Sequence, residues 1–94
     1  MPKITIYTTP YCPYCIRAKA LLTKKQAVFA EIDVWHRPDL RQWLARVSGQ
    51  RTVPQVFING RPVGGFTELD DLDRAGELDA LLTEGPGSFD PLPR

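Results

Sequence analysis

Ile4 and Ile6 alternate with Thr5 and Tyr7 near the start of the chain, which predicts a short strand over residues 3–8 with the isoleucines on one face. From about Pro13 to Lys25 the pattern becomes helical. Ile16, Ala20 and the Leu21–Leu22 pair form the expected apolar face, with Arg17, Lys19, Lys24 and Lys25 outward. Between Val28 and Val34 the period returns to two, with Val28, Ala30, Ile32 and Val34 on one face and Glu31 and Asp33 on the other. Pro38 and Asp39 open a second helix, because proline suits the first helical position and an acid suits the first turn. Leu40, Trp43, Leu44 and Val47 fall at i, i+3, i+4 and i+7, and Gly49 stops the helix. Asn59-Gly60 between Gln55–Ile58 and Arg61–Gly64 predicts a hairpin. Pro62 cannot donate to a ladder, so its strand is expected at an edge.

A last helix is expected with Thr67 as its cap and Asp70 in the capping-box position. Leu69, Leu72, Leu78, Leu81 and Leu82 supply its apolar face, and Gly76 kinks it or splits it in two. Residues 85–94, GPGSFDPLPR, predict a disordered tail, leaving residues 1–84 as the folded domain. The first strand, helix and second strand make a right-handed βαβ unit with parallel strands.

Ninety-four residues fit one domain with a modest core. A net charge of +1 gives no long-range attraction to nucleic acid or to an anionic membrane. No apolar run reaches the length of a transmembrane helix, and the N-terminal residues lack the apolar core of a signal peptide. The expected setting is therefore the reducing cytoplasm, where a cysteine pair is more often catalytic than structural.

The chain's two cysteines stand in Tyr11-Cys12-Pro13-Tyr14-Cys15, directly between the first strand and the first helix. Strand, Cys-x-x-Cys, helix is the context of a redox dithiol. Cys12 is expected at the helix N-terminus, where unpaired N–H groups and the macrodipole stabilise a thiolate. Pro13 fits the first helical position, and Cys15 follows one turn in, within reach of a disulfide formed at Cys12. A structural disulfide would close too short a loop to restrain the unfolded chain much. A zinc site would need about four ligands, and beyond the two cysteines the chain has only His36, which is read as a solvated loop residue.

The order βαβαββα with Cys-Pro-Tyr-Cys at its first βα junction resembles the glutaredoxins, and the bacterial dithiol glutaredoxins look closest. The resemblance spans about residues 3–83 and rests also on Thr52-Val53-Pro54 and on Gly64-Gly65 before the last helix. It implies a thioredoxin-like α/β fold, a mixed four-stranded sheet flanked by helices. It further implies a cis Pro54 beside the cysteines, and a glutathione groove lined by Tyr14, Arg41, Thr52, Val53, Pro54, Gly65, Phe66 and Thr67. In such a groove the Val53 backbone pairs with the glutathione cysteine. The γ-glutamyl carboxylate meets the helix start at Phe66 and Thr67, and Arg41 meets the glycyl carboxylate. Thr9 and Thr67 depart from the lysine and aspartate that many relatives carry.

The implied activity is reduction of protein disulfides and glutathione mixed disulfides, with Cys12 as nucleophile, Cys15 as resolving thiol and glutathione as reductant. Glutaredoxin potentials near −200 to −230 mV suit that reductant. Expected partners are glutathione and disulfide-containing or glutathionylated clients, ribonucleotide reductase being typical of the family. The chain is expected to be a monomer without a metal. Three alternatives stand beside this: a redoxin recharged by thioredoxin reductase, a dimer holding an iron–sulfur cluster, and a zinc-bridged dimer. Pro13 and Tyr14 argue against the cluster, since relatives that hold one usually carry a Gly-Phe pair there.

Overall fold

The two N-terminal alternating runs pair in parallel, with Ile4 opposite Phe29 and Thr8 opposite Asp33. The computed structural model describes all 94 residues, Met1–Arg94. Its elements are β1 (Ile4–Thr8), α1 (Pro13–Lys24), β2 (Phe29–Asp33), α2 (Pro38–Ser48), β3 (Gln55–Ile58), β4 (Arg61–Gly64), α3 (Phe66–Arg74) and α4 (Glu77–Leu82). The sheet order is β2-β1-β3-β4, with β3 antiparallel to both β1 and β4. This is the mixed four-stranded sheet that the resemblance implies. Pro62 lies in the edge strand β4, and Asn59 and Gly60 both take positive φ, 50° and 78°, as a tight hairpin turn requires.

Each sheet face carries its own apolar cluster. On one face Ile4, Ile6, Val56 and Ile58 meet Ala18 and Leu22 of α1, Leu69 of α3, and Leu78 and Leu82 of α4. On the other, Tyr7, Val34 and Phe57 meet Leu40 and Leu44 of α2, with Trp43 and Leu92 against them. The Tyr7, Trp43 and Phe57 rings lie 5.5 Å apart pairwise, a spacing at which aromatic pairs attract. Because β1 and β3 are central, both their faces are covered, and alternation alone understates their burial.

Several expectations are corrected. In α1 the buried residues are Cys15, Ala18 and Leu22, while Ile16 is 61% exposed and Ala20 is exposed. The helix turns its Cys15 side inward, which carries Ile16 to the surface beside Cys12. Val28 lies before the paired residues of the edge strand β2 and is 80% exposed, lining the open cavity on that edge. Thr67 does not cap the last helix. Gly65 is the N-cap, and Thr67 sits exposed in the first turn. Gly76, at φ 76°, divides the helical stretch into α3 and α4. Lys25 ties the pair to the end of α1 through Asp73 at 2.7 Å and Asp79 at 2.9 Å.

Residues 85–94, for which disorder was expected, form no helix or strand and lie along the α2 side of the sheet. Asn59 accepts from Gly87 N–H and donates to Gly85 C=O, both at 3.0 Å. The Tyr7 hydroxyl donates to Pro93 C=O at 2.6 Å, and Arg37 donates to the Arg94 carbonyl at 3.2 Å. A cavity of about 770 Å³ lies between residues 1–5, β2 and this segment, and neither cysteine lines it.

Candidate functional site

Cys12 is the N-cap residue of α1, in extended conformation, and Pro13 is the first helical residue. That arrangement follows from the sequence: proline forgoes an N–H that would have had no partner, and the chain before it is steered into extended backbone. Tyr11, at φ 60° and 99% exposed, turns the loop so that Cys12 faces the sheet end. The Cys12 sulfur accepts from Cys15 N–H at 3.2 Å, and its thiol lies 3.7 Å from the Val53 carbonyl oxygen. It therefore has one donor suited to a thiolate and one acceptor suited to a thiol.

Both thiols are free. Cys12 is partly exposed and Cys15 is 1% exposed. Burial pushes the Cys15 thiol up to about 12, helped by its hydrogen bond with Cys12 and by Cys12's charge. Cys15 is thus a neutral thiol in the resting reduced protein. Burial likewise raises the Tyr7 phenol to about 12. Both raised values act in one direction. The unfolded chain releases these protons near 9.0 and 10.0, whereas the folded protein holds them until about 12. Stability from these groups is fully present at neutral pH and declines as pH rises through that window. Melting of the reduced protein should therefore fall steadily from about pH 9 toward pH 12, and less steeply once the cysteines are joined. A flat profile for reduced protein would contradict the buried thiol.

The loop before β3 meets the cysteines from the sheet end. The Val53–Pro54 bond is cis, as the resemblance implies, and Pro54 is buried. Gly65 stands directly against it, since a Cβ there would come 3.1 Å from the Pro54 carbonyl oxygen. Phe66 follows, its ring 6.3 Å from that of Tyr14, and the Arg17 guanidinium lies 5.4 Å from the Tyr14 ring centre. Cys12, Tyr14, Val53, Pro54, Gly65 and Phe66 are thus brought together through successive contacts, with Thr67 next in the first turn of α3. Arg41 lines a depression of about 640 Å³ with Gln42, Ala45, Arg46, Gly49 and Arg51, none of which lines the depression beside the cysteines. A second depression, of about 460 Å³, opens beside both cysteines between Thr8–Tyr11, Ile16, Lys19, Glu31 and Asp33. No group of three or more His, Cys, Asp or Glu residues is arranged to hold a metal ion.

Sequence reasoning missed three polar residues behind this surface. The Gln55 amide nitrogen donates to Thr52 C=O at 2.9 Å and to Gln50 Oε1 at 2.9 Å. The Gln50 amide in turn donates to Glu68 Oε1 at 2.7 Å. This bond, followed by the backbone N–H groups of Glu68 and Gly65, holds the Glu68 carboxyl below its ordinary value. The one available signal was Gln55 itself, a long polar residue at the head of the apolar run Val56-Phe57-Ile58.

Comparison with known proteins gives one answer. A family model described as glutaredoxin matches residues 4–63. A glutaredoxin of Pseudomonas aeruginosa is 54% identical over 83 residues, covering 88% of this chain and 99% of the relative. The solution structure of glutaredoxin from Brucella melitensis superposes with a TM-score of 0.79 at 50% identity, covering 87% of this chain and 89% of that one. A crystal structure of a buckwheat glutaredoxin–glutathione complex superposes with a TM-score of 0.81 at 33% identity, covering 87% and 77%.

Proposed function

The chain belongs to the glutaredoxin family, whose members are thiol–disulfide oxidoreductases, and from that premise we propose that glutathione is its reductant and that Cys12 is its nucleophile. The observation that carries this reading is the Cys12 sulfur placed between Cys15 N–H and the Val53 carbonyl, at the exposed start of α1. The relative solved in complex with glutathione supports the choice of reductant.

On a glutathionylated protein, the Cys12 thiolate attacks the glutathione sulfur. A Cys12–glutathione disulfide forms, and the client sulfur leaves as a thiolate that takes up a proton. A second glutathione thiolate then attacks the glutathione sulfur, releasing glutathione disulfide and restoring Cys12. On a protein disulfide, Cys12 forms a mixed disulfide with the client and Cys15 resolves it. Cys15 must lose its proton for that step. Once the Cys12 sulfur is tied in a disulfide, its charge and hydrogen bond no longer hold the Cys15 proton, and burial is opposed by the Thr9 backbone and the Lys19 charge, which favour the thiolate. Two glutathiones then reduce Cys12–Cys15.

The backbone of Val53 and the first turn of α3 suit the two ends of a glutathione molecule, one as a peptide-like partner and the other as a helix N-terminus for a carboxylate. Arg41 and the exposed Thr52 and Thr67 complete the proposed groove. Tyr11, Tyr14 and Ile16 form an exposed apolar rim around Cys12, suited to an extended client segment. The proposed setting is the cytoplasm. Ribonucleotide reductase and glutathionylated proteins are the proposed client types.

Turnover of a glutathione mixed disulfide, coupled to glutathione reductase and NADPH, tests the reading. NADPH consumption should depend on glutathione and follow the amount of protein. Turnover driven by thioredoxin reductase and absent with glutathione would overturn it.

A further inference from the structure

We infer that Gln55 is a positioning residue for glutathione, and that its relay through Gln50 to Glu68 fixes the Val53 N–H and the start of α3 as one unit. The inference rests on the glutathione reading above.

A trans peptide is planar, with its C=O and N–H pointing in opposite directions. The Thr52–Val53 bond is trans, since Val53–Pro54 is the chain's cis bond. Gln55 is fully buried and draws the Thr52 carbonyl inward at 2.9 Å. The Val53 N–H of the same peptide unit must then face away from the interior. No backbone carbonyl accepts it, so it stands as an open donor beside the Val53 carbonyl that meets Cys12.

What fixes the amide of Gln55 is the rest of the relay. An ionised Glu68 can only accept, so the Gln50 nitrogen must turn to it at 2.7 Å. Gln50 Oε1 is thereby presented to Gln55, whose nitrogen spends its two protons on Gln50 and Thr52. Gln55 Oε1 has no protein donor, so the amide's two protons are its only protein hydrogen bonds. Every bond in the relay has one direction, set by a carboxylate in the first turn of α3. A Cβ on Gly64 would meet that carboxylate's side chain at 2.8 Å, so its path is also sterically fixed.

Two variants test this. Gln55→Glu cannot donate to two acceptors, and Gln50→Ala, at a half-exposed position, removes the middle of the relay with little threat to folding. Both should raise KM for a glutathionylated peptide, by about tenfold for Gln55→Glu, the worth of one backbone hydrogen bond. They should leave kcat, and the rate at which iodoacetamide alkylates Cys12, within about twofold of wild type. The Thr52 carbonyl-carbon resonance should move in both variants without any glutathione present, reporting the hydrogen bond weakened or lost in Gln55→Glu and the bond freed from its relay in Gln50→Ala. An unmoved resonance, an unchanged KM, or a parallel loss of KM, kcat and alkylation would overturn the inference. If wild type fails to turn over with glutathione, the reading beneath it fails instead, and the resonance alone decides whether Gln55 sets the loop.

Discussion

Cys12→Ser should reduce both activities to background, whereas Cys15→Ser should keep removal of glutathione from a glutathionylated peptide and lose most reduction of a protein disulfide. The asymmetry follows from position. Cys12 is partly exposed at the helix start, and Cys15 is shielded with its thiol pushed up to about 12. A serine at position 12 offers a hydroxyl with no nearby base in place of a thiolate. A serine at position 15 keeps the main-chain N–H that points at the Cys12 sulfur, so the nucleophile's surroundings survive. What is lost is an intramolecular thiol. Well-oriented intramolecular groups reach effective concentrations of about 10⁵ M or more, far above any concentration a free thiol reaches in solution. Deglutathionylation never uses that advantage, because free glutathione completes it. Both variants should be assayed on both substrates with glutathione as the only reductant. A Cys15→Ser protein inactive on the glutathionylated peptide would mean that every turnover needs both thiols. Mass-mapped alkylation of reduced wild type at mildly acidic pH should label Cys12 before Cys15, by the same difference in exposure.

The parts of this site legible in the sequence are those that depend on local chemistry. Cys12 and Pro13 announce a helix start because capping and proline geometry act within a few residues. Asn59-Gly60 announces a turn for the same reason. Residue rotation about an element is harder to read. Ile16 and Ala20 fit a helical stripe as well as Cys15, Ala18 and Leu22 do, and what decides between them is which side meets Leu69 and the sheet. Val28 alternates correctly but precedes the paired residues of an edge strand. Thr67 has the right side chain for a cap, yet the turn at Gly65 against Pro54 starts the helix two residues earlier. The Gln55–Gln50–Glu68 relay was illegible because it joins residues up to 18 positions apart by side chains alone. No periodicity encodes such a contact.

Truncation after Glu84 should lower the melting temperature by roughly 5–15 °C, the counterpart of about 1–2 kcal/mol in a domain of this size. The proposal is that residues 85–94 act as a strap over the half of the sheet face that α2 leaves open. α2 meets β4, while the cavity between residues 1–5, β2 and the tail lies toward the opposite, β2 edge of the same face. Leu92 joins the cluster of Tyr7, Val34 and Phe57, and the side chain of Phe89 lies against Gly60. Losing the Tyr7–Pro93 hydrogen bond costs about 1 kcal/mol, and partial exposure of Leu92 and the Tyr7 ring costs about as much again. The freed conformational entropy of the tail offsets part of this. Tyr7 supplies an independent readout. Its phenol is raised to about 12 by burial, which outweighs a lowering by the Arg94 charge. Truncation removes Arg94 but exposes the ring, so it should bring the titration back toward 10.0, measured by ultraviolet absorbance of the folded protein. Tyr7→Phe should keep the ring packed and lose only the bond to Pro93, giving about half the melting shift. Deglutathionylation below the melting point should be retained, because no tail residue lines the depression beside the cysteines. If the truncated protein melts with full-length protein and its Tyr7 titrates unchanged, the tail is the disordered appendage that its composition suggests.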